Sequence, residues 1–131
     1  MTTAEIIDRL KQLTTDLLWV SESDYPFEII TWERGVEMTP MALFGVSSSP
    51  NTEIEIVTTT DLFEPVLTIE DWHGEEELAI VNRYTDLLHA IDTNLSEILV
   101  LRVGKIEIAI YIIGKTPDGD IIGLKTQAIE T

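Results

Sequence analysis

Three apolar runs near the C-terminus constrain the fold more than any other feature of this 131-residue sequence. Residues 98–103, 106–113 and 121–129 are separated only by residues 104–105 and 114–120, which carry the Gly, Pro and Asp typical of tight turns. Runs joined by such short turns pair as neighbouring antiparallel strands. Their apolar residues fall on both faces, which predicts central strands that are covered on both sides.

Two helical patterns accompany these strands. The first spans residues 2–18, where Thr2 and Glu5 fit a capping box and apolar residues recur at helical spacing. The second runs from Thr68, a candidate N-cap, to about Leu95. Gly74 weakens its first turns, so Asp71-Trp72 could instead occupy a preceding turn. Two long helices on opposite faces of a largely antiparallel sheet would satisfy both patterns, in one α+β domain of residues 1–131.

The remaining segments carry weaker signals. Residues 27–33 and 53–57 read as strands, and residues 60–64 could start a short helix that Pro65 disrupts. Residues 36–53 are the least patterned. Within them, residues 38–44 suggest a strand or an extended edge and residues 45–52 a loop.

The charge of the chain is its most unusual property. Twenty-four acidic residues face eight basic ones, for a net charge of −16. Such a protein repels nucleic acid and anionic membranes and attracts a basic surface or a cation, although solubility alone could also explain the excess. Without cysteine, neither disulfides nor thiol catalysis is available. The N-terminus lacks the features of a signal peptide, so we expect a cytoplasmic protein.

The motifs that resemble catalytic or ligand sites fail on inspection. Gly114-Lys115-Thr116 resembles the end of a phosphate-binding loop, but Ala109 stands where its first glycine belongs. Residues 118–120 lack the rest of a calcium loop and favour a hairpin turn. Neither His73 nor His89 has a nucleophile or a carboxylate at a diagnostic spacing. We therefore expect a protein that binds rather than an enzyme, with no cofactor of its own.

Three features make more sense as contacts than as catalysts. The first is the acidic loop Ser21-Glu22-Ser23-Asp24, which lies between the first helix and a strand and has Glu22 near its tip. The second is Asp71-Trp72, because Trp is a common interface anchor, although a core position is an equally good explanation. The third is the C-terminus, where Glu130 and the α-carboxylate of Thr131 place two negative charges on a strand end.

At these same residues the sequence resembles the nuclease A inhibitor family, whose members block a sugar-non-specific DNA/RNA endonuclease of the metal-dependent, His-Asn-His-like type. Three blocks carry the likeness: residues 17–28 with Trp32 and Glu33 behind them, Asp71-Trp72 opening an acidic segment, and residues 111–119 through to 128–131. It covers almost the whole chain and fails only across roughly residues 34–67, whose role it leaves open. No block is a catalytic signature, so the specificity rests on their joint order.

The resemblance implies a fold and a mechanism. The fold is an α-β-α sandwich of the kind shared with pathogenesis-related 1 proteins. By analogy, Glu22 enters the nuclease active site and imitates the scissile phosphate, while Thr131 reaches the Mg²⁺ of the nuclease, which then bridges the two proteins. Asp71 and Trp72 form a second contact patch. His73-Gly74 departs from the family pattern and would change that patch.

Other functions stay open at this point. An acidic adaptor of the same fold could bind a different basic protein, and we expect a monomer when the protein is free. An enzyme would require a pocket in which carboxylates converge with His73 or His89, away from Glu22 and Thr131.

Overall fold

The computed structural model describes residues 2–19, 25–32, 35, 37 and 54–129. Three helices lie in this part of the chain: α1 (Thr3–Thr14), α2 (Thr59–Leu67) and α3 (Glu75–Asn94). The strands in the same residues are β1 (Leu18–Trp19), β2 (Tyr25–Pro26), β3 (Glu28–Trp32), β4 (Ile54–Val57), β5 (Ser96–Val103), β6 (Glu107–Lys115) and β7 (Ile121–Ile129). The predictions for residues 38–44 and 45–52 lie outside the described residues.

The three C-terminal strands form the centre of a five-stranded sheet, as their short turns predict. The strand order is β3-β7-β6-β5-β4, and every neighbouring pair is antiparallel. The turn after β6 is closed by the Thr116 N–H, which donates to the Asp120 carbonyl at 2.8 Å. The turn before β6 requires Gly104, because a Cβ there would come within 2.2 Å of the Glu107 carbonyl oxygen. The antiparallel α+β prediction is confirmed.

Helix α1 begins with the predicted capping box. The Thr2 hydroxyl accepts from the Glu5 N–H, and the Glu5 carboxylate accepts from the Thr2 N–H, each at 3.2 Å. The bond from the Thr2 backbone lowers the pKa of Glu5 below its ordinary value. The hairpin turn after β6 extends the cap, since Asp118 accepts from the Thr3 N–H at 3.0 Å and Asp120 from the Thr3 hydroxyl at 2.6 Å. A turn of the sheet therefore fixes the start of this helix.

The two long helices do not lie on opposite faces of the sheet, so that expectation is wrong. Leu10 of α1 and Leu87 of α3 belong to one buried apolar cluster with Ile110 of β6 and Leu124 of β7. Alternation along the strands places these sheet residues on a single face. On the other face Ile113 and Ile121 are buried with Trp32 beside them. Because β6 and β7 are apolar on both faces, the periodicity of a helix cannot indicate which face it covers.

Helix α2 differs from its prediction at both ends. It begins after Thr58, whose hydroxyl accepts from the Asp61 N–H at 3.0 Å, and it continues through Pro65 to Leu67. A proline inside a helix costs about 3 kcal/mol. Burial of Phe63, whose side chain is fully enclosed, returns a comparable amount, about 1.5–3 kcal/mol. Tertiary packing therefore overrides the local signal of Pro65.

Helix α3 begins at Glu75 rather than at Thr68. The Thr68 hydroxyl donates back to the Glu64 carbonyl at 2.8 Å, so this residue closes the end of α2 instead of capping α3. Gly74 takes the N-cap position, and its N–H donates to the Glu77 carboxylate at 2.9 Å. Asp71 and Trp72 consequently lie in a turn before α3, as the alternative prediction had it.

Candidate partner-binding site

Asp71 and Trp72 lie on the surface, in the connection between α2 and α3. Both side chains are exposed, and Trp72 leaves 72% of its surface in solvent. A large aromatic side chain with that exposure contributes nothing to the core, which removes the core interpretation of Trp72. The position suits a contact residue, because Trp presents a large rigid apolar surface at low entropic cost.

Hydrogen bonds within four residues hold this connection in one shape. The His73 N–H donates to the Glu70 carbonyl at 3.1 Å, and the Glu70 N–H donates to Nδ1 of His73 at 3.1 Å. The imidazole lies edge-on to the Trp72 ring, with the ring centroids 4.3 Å apart and the planes at 79°. These interactions all lie within residues 70–73, so the shape of the turn does not depend on a contact with the sheet.

Glu22 lies outside the described residues, but the strands that flank its loop are described. Trp19 pairs with Tyr25 and Leu18 with Pro26, so residues 20–24 join two strands that are already paired at their ends. The Trp19 ring is buried and makes edge contacts with Phe27, Phe63 and Tyr84 at centroid distances of 5.8–6.2 Å. The Tyr84 hydroxyl also donates to the Leu18 carbonyl. Aromatic packing therefore fixes the paired strands β1 and β2, which form the base of the acidic loop.

The hydroxyl of Thr126 connects β7 to the base of the acidic loop by a hydrogen bond. Thr126 is buried on the apolar face of β7, and its Oγ1 donates to the Pro26 carbonyl at 3.0 Å and lies 3.4 Å from that of Tyr25. Sequence reasoning missed this residue. Its signal was available, because Thr126 interrupts the alternating apolar face of β7, and a polar residue in such a position usually satisfies a buried hydrogen bond.

A shallow groove lies beside this junction. Its volume is about 250 Å³, and its walls come from Tyr25, Pro26, Glu28, Lys125, Thr126 and Gln127. The Nζ of Lys125 sits 5.9 Å from the centroid of the Tyr111 ring, a cation–π distance. Neither His73 nor His89 lines this groove, so it lacks the combination that the enzyme hypothesis requires.

Strand directions bring the base of the acidic loop, the end of β7 and the Asp71-Trp72 turn to one end of the molecule. Glu28 pairs with Lys125 in antiparallel register, so the chain before Glu28 runs alongside β7 toward its end at Ile129. Helix α3 ends at the opposite end, where Leu95 packs on Gly114, and Tyr84 in its middle reaches Leu18. Its first turn, with Asp71 and Trp72 before it, therefore points toward the end where β7 finishes. Thr131 lies outside the described part of the chain.

Acidic side chains surround the start of α3. Glu75 and Glu76 are exposed in its first turn, and Glu77 is half-buried. Carboxylates there interact favourably with the positive end of the helix dipole. Among the described residues no group of three His, Cys, Asp or Glu side chains could hold a metal ion. The one residue predicted to contact a metal, Thr131, does not belong to that part of the chain.

None of the helices described here combines the length and the apolar character that a membrane span requires.

Residues 4–131, nearly the whole chain, match the family model described as Nuclease A inhibitor-like protein. No curated protein matches the chain significantly. The match includes the acidic loop, the Asp71-Trp72 turn and the C-terminus, the three regions that the sequence resemblance had selected.

Proposed function

Because the chain belongs to the nuclease A inhibitor-like family, we propose that it is a protein inhibitor of a metal-dependent, sugar-non-specific endonuclease. The family match over residues 4–131 carries this proposal. The net charge of −16 supports it, because a nuclease cleft is built to bind a polyanion. Complementary charge raises the rate of encounter with such a cleft more than it raises the final affinity.

In this proposal Glu22 occupies the nuclease active site and takes the place of the scissile phosphate. A carboxylate offers two acceptor oxygens and one negative charge, which match part of what the cationic residues of a phosphate site bind. The aromatic packing under Trp19 supports the idea, since a loop with a fixed base loses less entropy when it binds.

Thr131 is the second contact of the proposed mechanism. We assign its hydroxyl or α-carboxylate to the Mg²⁺ of the nuclease, because a hard cation prefers oxygen ligands. The metal belongs to the partner and would bridge the two proteins. Asp71 and Trp72 form a separate patch outside the nuclease cleft, where the ring supplies apolar contact and the carboxylate supplies charge.

An inhibition assay tests the mechanism. A titration of the purified protein against an endonuclease of this type should end at one inhibitor per enzyme. Glu22→Gln and a chain ending at Glu130 should each weaken inhibition by more than about tenfold. Glu64→Gln is the matched control, because it removes the same charge from an exposed position on α2 and should leave inhibition unchanged.

Two outcomes would contradict the proposal at different levels. Full inhibition by both variants would reject the roles of Glu22 and Thr131 and leave the inhibitor assignment standing. Failure of the wild-type protein to inhibit nucleases of this type, together with stable binding to a different basic protein, would favour the acidic adaptor.

A further inference from the structure

The ring of Trp72 has one aromatic neighbour among the described residues, and that neighbour is His73. The two centroids are 4.3 Å apart, with the imidazole edge-on to the indole. Trp72 is otherwise exposed, so the protein core does not select its rotamer. An indole on the surface without such a neighbour would exchange among several rotamers on the nanosecond scale or faster.

The imidazole of His73 is itself held by the backbone. Its Nδ1 accepts the Glu70 N–H at 3.1 Å, and the backbone N–H of His73 donates to the Glu70 carbonyl at 3.1 Å. Accepting through Nδ1 requires a neutral ring with the proton on Nε2. One side chain therefore closes the turn and also presents a fixed surface to the indole.

We propose that His73 is a positioning residue that holds Trp72 in the orientation in which it meets a partner protein. The partner part of this inference rests on the proposed function, but the orientation of Trp72 is a property of the free protein. The physical reason is entropic, since a side chain that is already ordered loses less freedom when an interface forms.

Three substitutions separate the two contacts of His73. His73→Asn retains an acceptor at the δ position for the Glu70 N–H and removes the ring. His73→Phe retains a ring beside Trp72 and removes the acceptor. His73→Ala removes both, so it should have the largest effect, and the other two should give intermediate effects.

The free protein provides the first test. Labelling with 5-fluorotryptophan gives one fluorine NMR resonance for each of the three tryptophans, and Trp72→Phe identifies that of Trp72. His73→Ala should shift and narrow the Trp72 resonance. The resonances of Trp19 and Trp32 should not change. An unchanged Trp72 resonance would overturn the proposal, whether or not the protein inhibits a nuclease.

A double-mutant cycle provides the second test. With the endonuclease of the inhibition assay as the probe, His73→Ala should weaken binding by about threefold to tenfold. In a Trp72→Ala background the same change should have a clearly smaller effect, because there is no ring left to position. An equal loss in both backgrounds would show that His73 acts independently of Trp72 and would overturn the proposal.

Discussion

The base of the acidic loop and the Asp71-Trp72 turn are held by different kinds of interaction. Trp19 at the loop base is buried among rings from three other segments, whereas Trp72 is exposed beside a single imidazole. The first arrangement depends on residues far apart in the sequence, and the second is complete within residues 70–73. Substitutions at the loop base should therefore affect folding, and substitutions in the turn should affect binding alone.

Trp19→Ala should produce the largest effect. Removing a buried aromatic side chain lowers the free energy of unfolding by about 3–5 kcal/mol, because a cavity remains among Phe27, Phe63 and Tyr84. Urea denaturation followed by circular dichroism measures the change. Trp19→Phe should recover part of the loss. A loss below about 1 kcal/mol would show that the loop base is not anchored by this packing.

Trp72→Ala should separate binding from stability. We expect affinity for a nuclease partner to fall by about 2 kcal/mol, as for an interface anchor, while the free energy of unfolding changes by less than about 0.5 kcal/mol. Calorimetric titration and denaturation measure the two quantities. Ile56→Ala is a control, because Ile56 is a similarly exposed apolar residue on β4 and should leave affinity unchanged. A large stability loss in Trp72→Ala would erase the contrast between the two regions.

Tyr84→Phe tests the loop base with a smaller change. The substitution removes the hydroxyl that donates to the Leu18 carbonyl and retains the ring contacts with Trp19 and Phe63. We expect a loss of about 1–2 kcal/mol in the free energy of unfolding, since a part-buried carbonyl loses a partner. Thr85→Val, at a neighbouring exposed position of α3, should cost less than half as much.

The smallest effect is expected at Glu5, in the capping box of α1. Like the Asp71-Trp72 turn, this box is closed by hydrogen bonds within a few residues. Its lowered pKa means that the unfolded chain binds a proton at higher pH than the folded one. The stabilisation is therefore fully present above the unfolded pKa and is lost as the pH falls through the folded pKa. Glu5→Gln retains an acceptor for the Thr2 N–H and should flatten this part of the pH dependence. An identical pH profile of thermal unfolding in both proteins would contradict the assignment.

Local features were predicted correctly where their hydrogen bonds close within a few residues. The Thr2-Glu5 box and the turn at 116–120 are examples. The start of α3 was misplaced because Thr68 has the residue type of an N-cap, while its hydroxyl instead bonds the carbonyl four residues before it. Residue type alone does not reveal which end of a helix a threonine closes.

The residues of the candidate site also fall into those that the sequence identified and those that only the fold revealed. The sequence identified Asp71-Trp72, but the exposure of Trp72 came from the fold, since a tryptophan at a helix start could equally belong to the core. Thr126 and Tyr84, which hold the loop base, were not predicted. Their partners lie at least 66 residues away along the chain, and no local pattern records such a pairing.

By itself the sequence determined the antiparallel central strands, the acidic character and the resemblance that selects the three contact regions. Turns and apolar runs encode the strands locally, and charge is a sum over composition. Only the tertiary structure decided that both long helices share one face of the sheet, because β6 and β7 are apolar on both sides. It also decided that the base of the acidic loop, the end of β7 and the turn before α3 face one end, since that arrangement depends on strand register and helix direction.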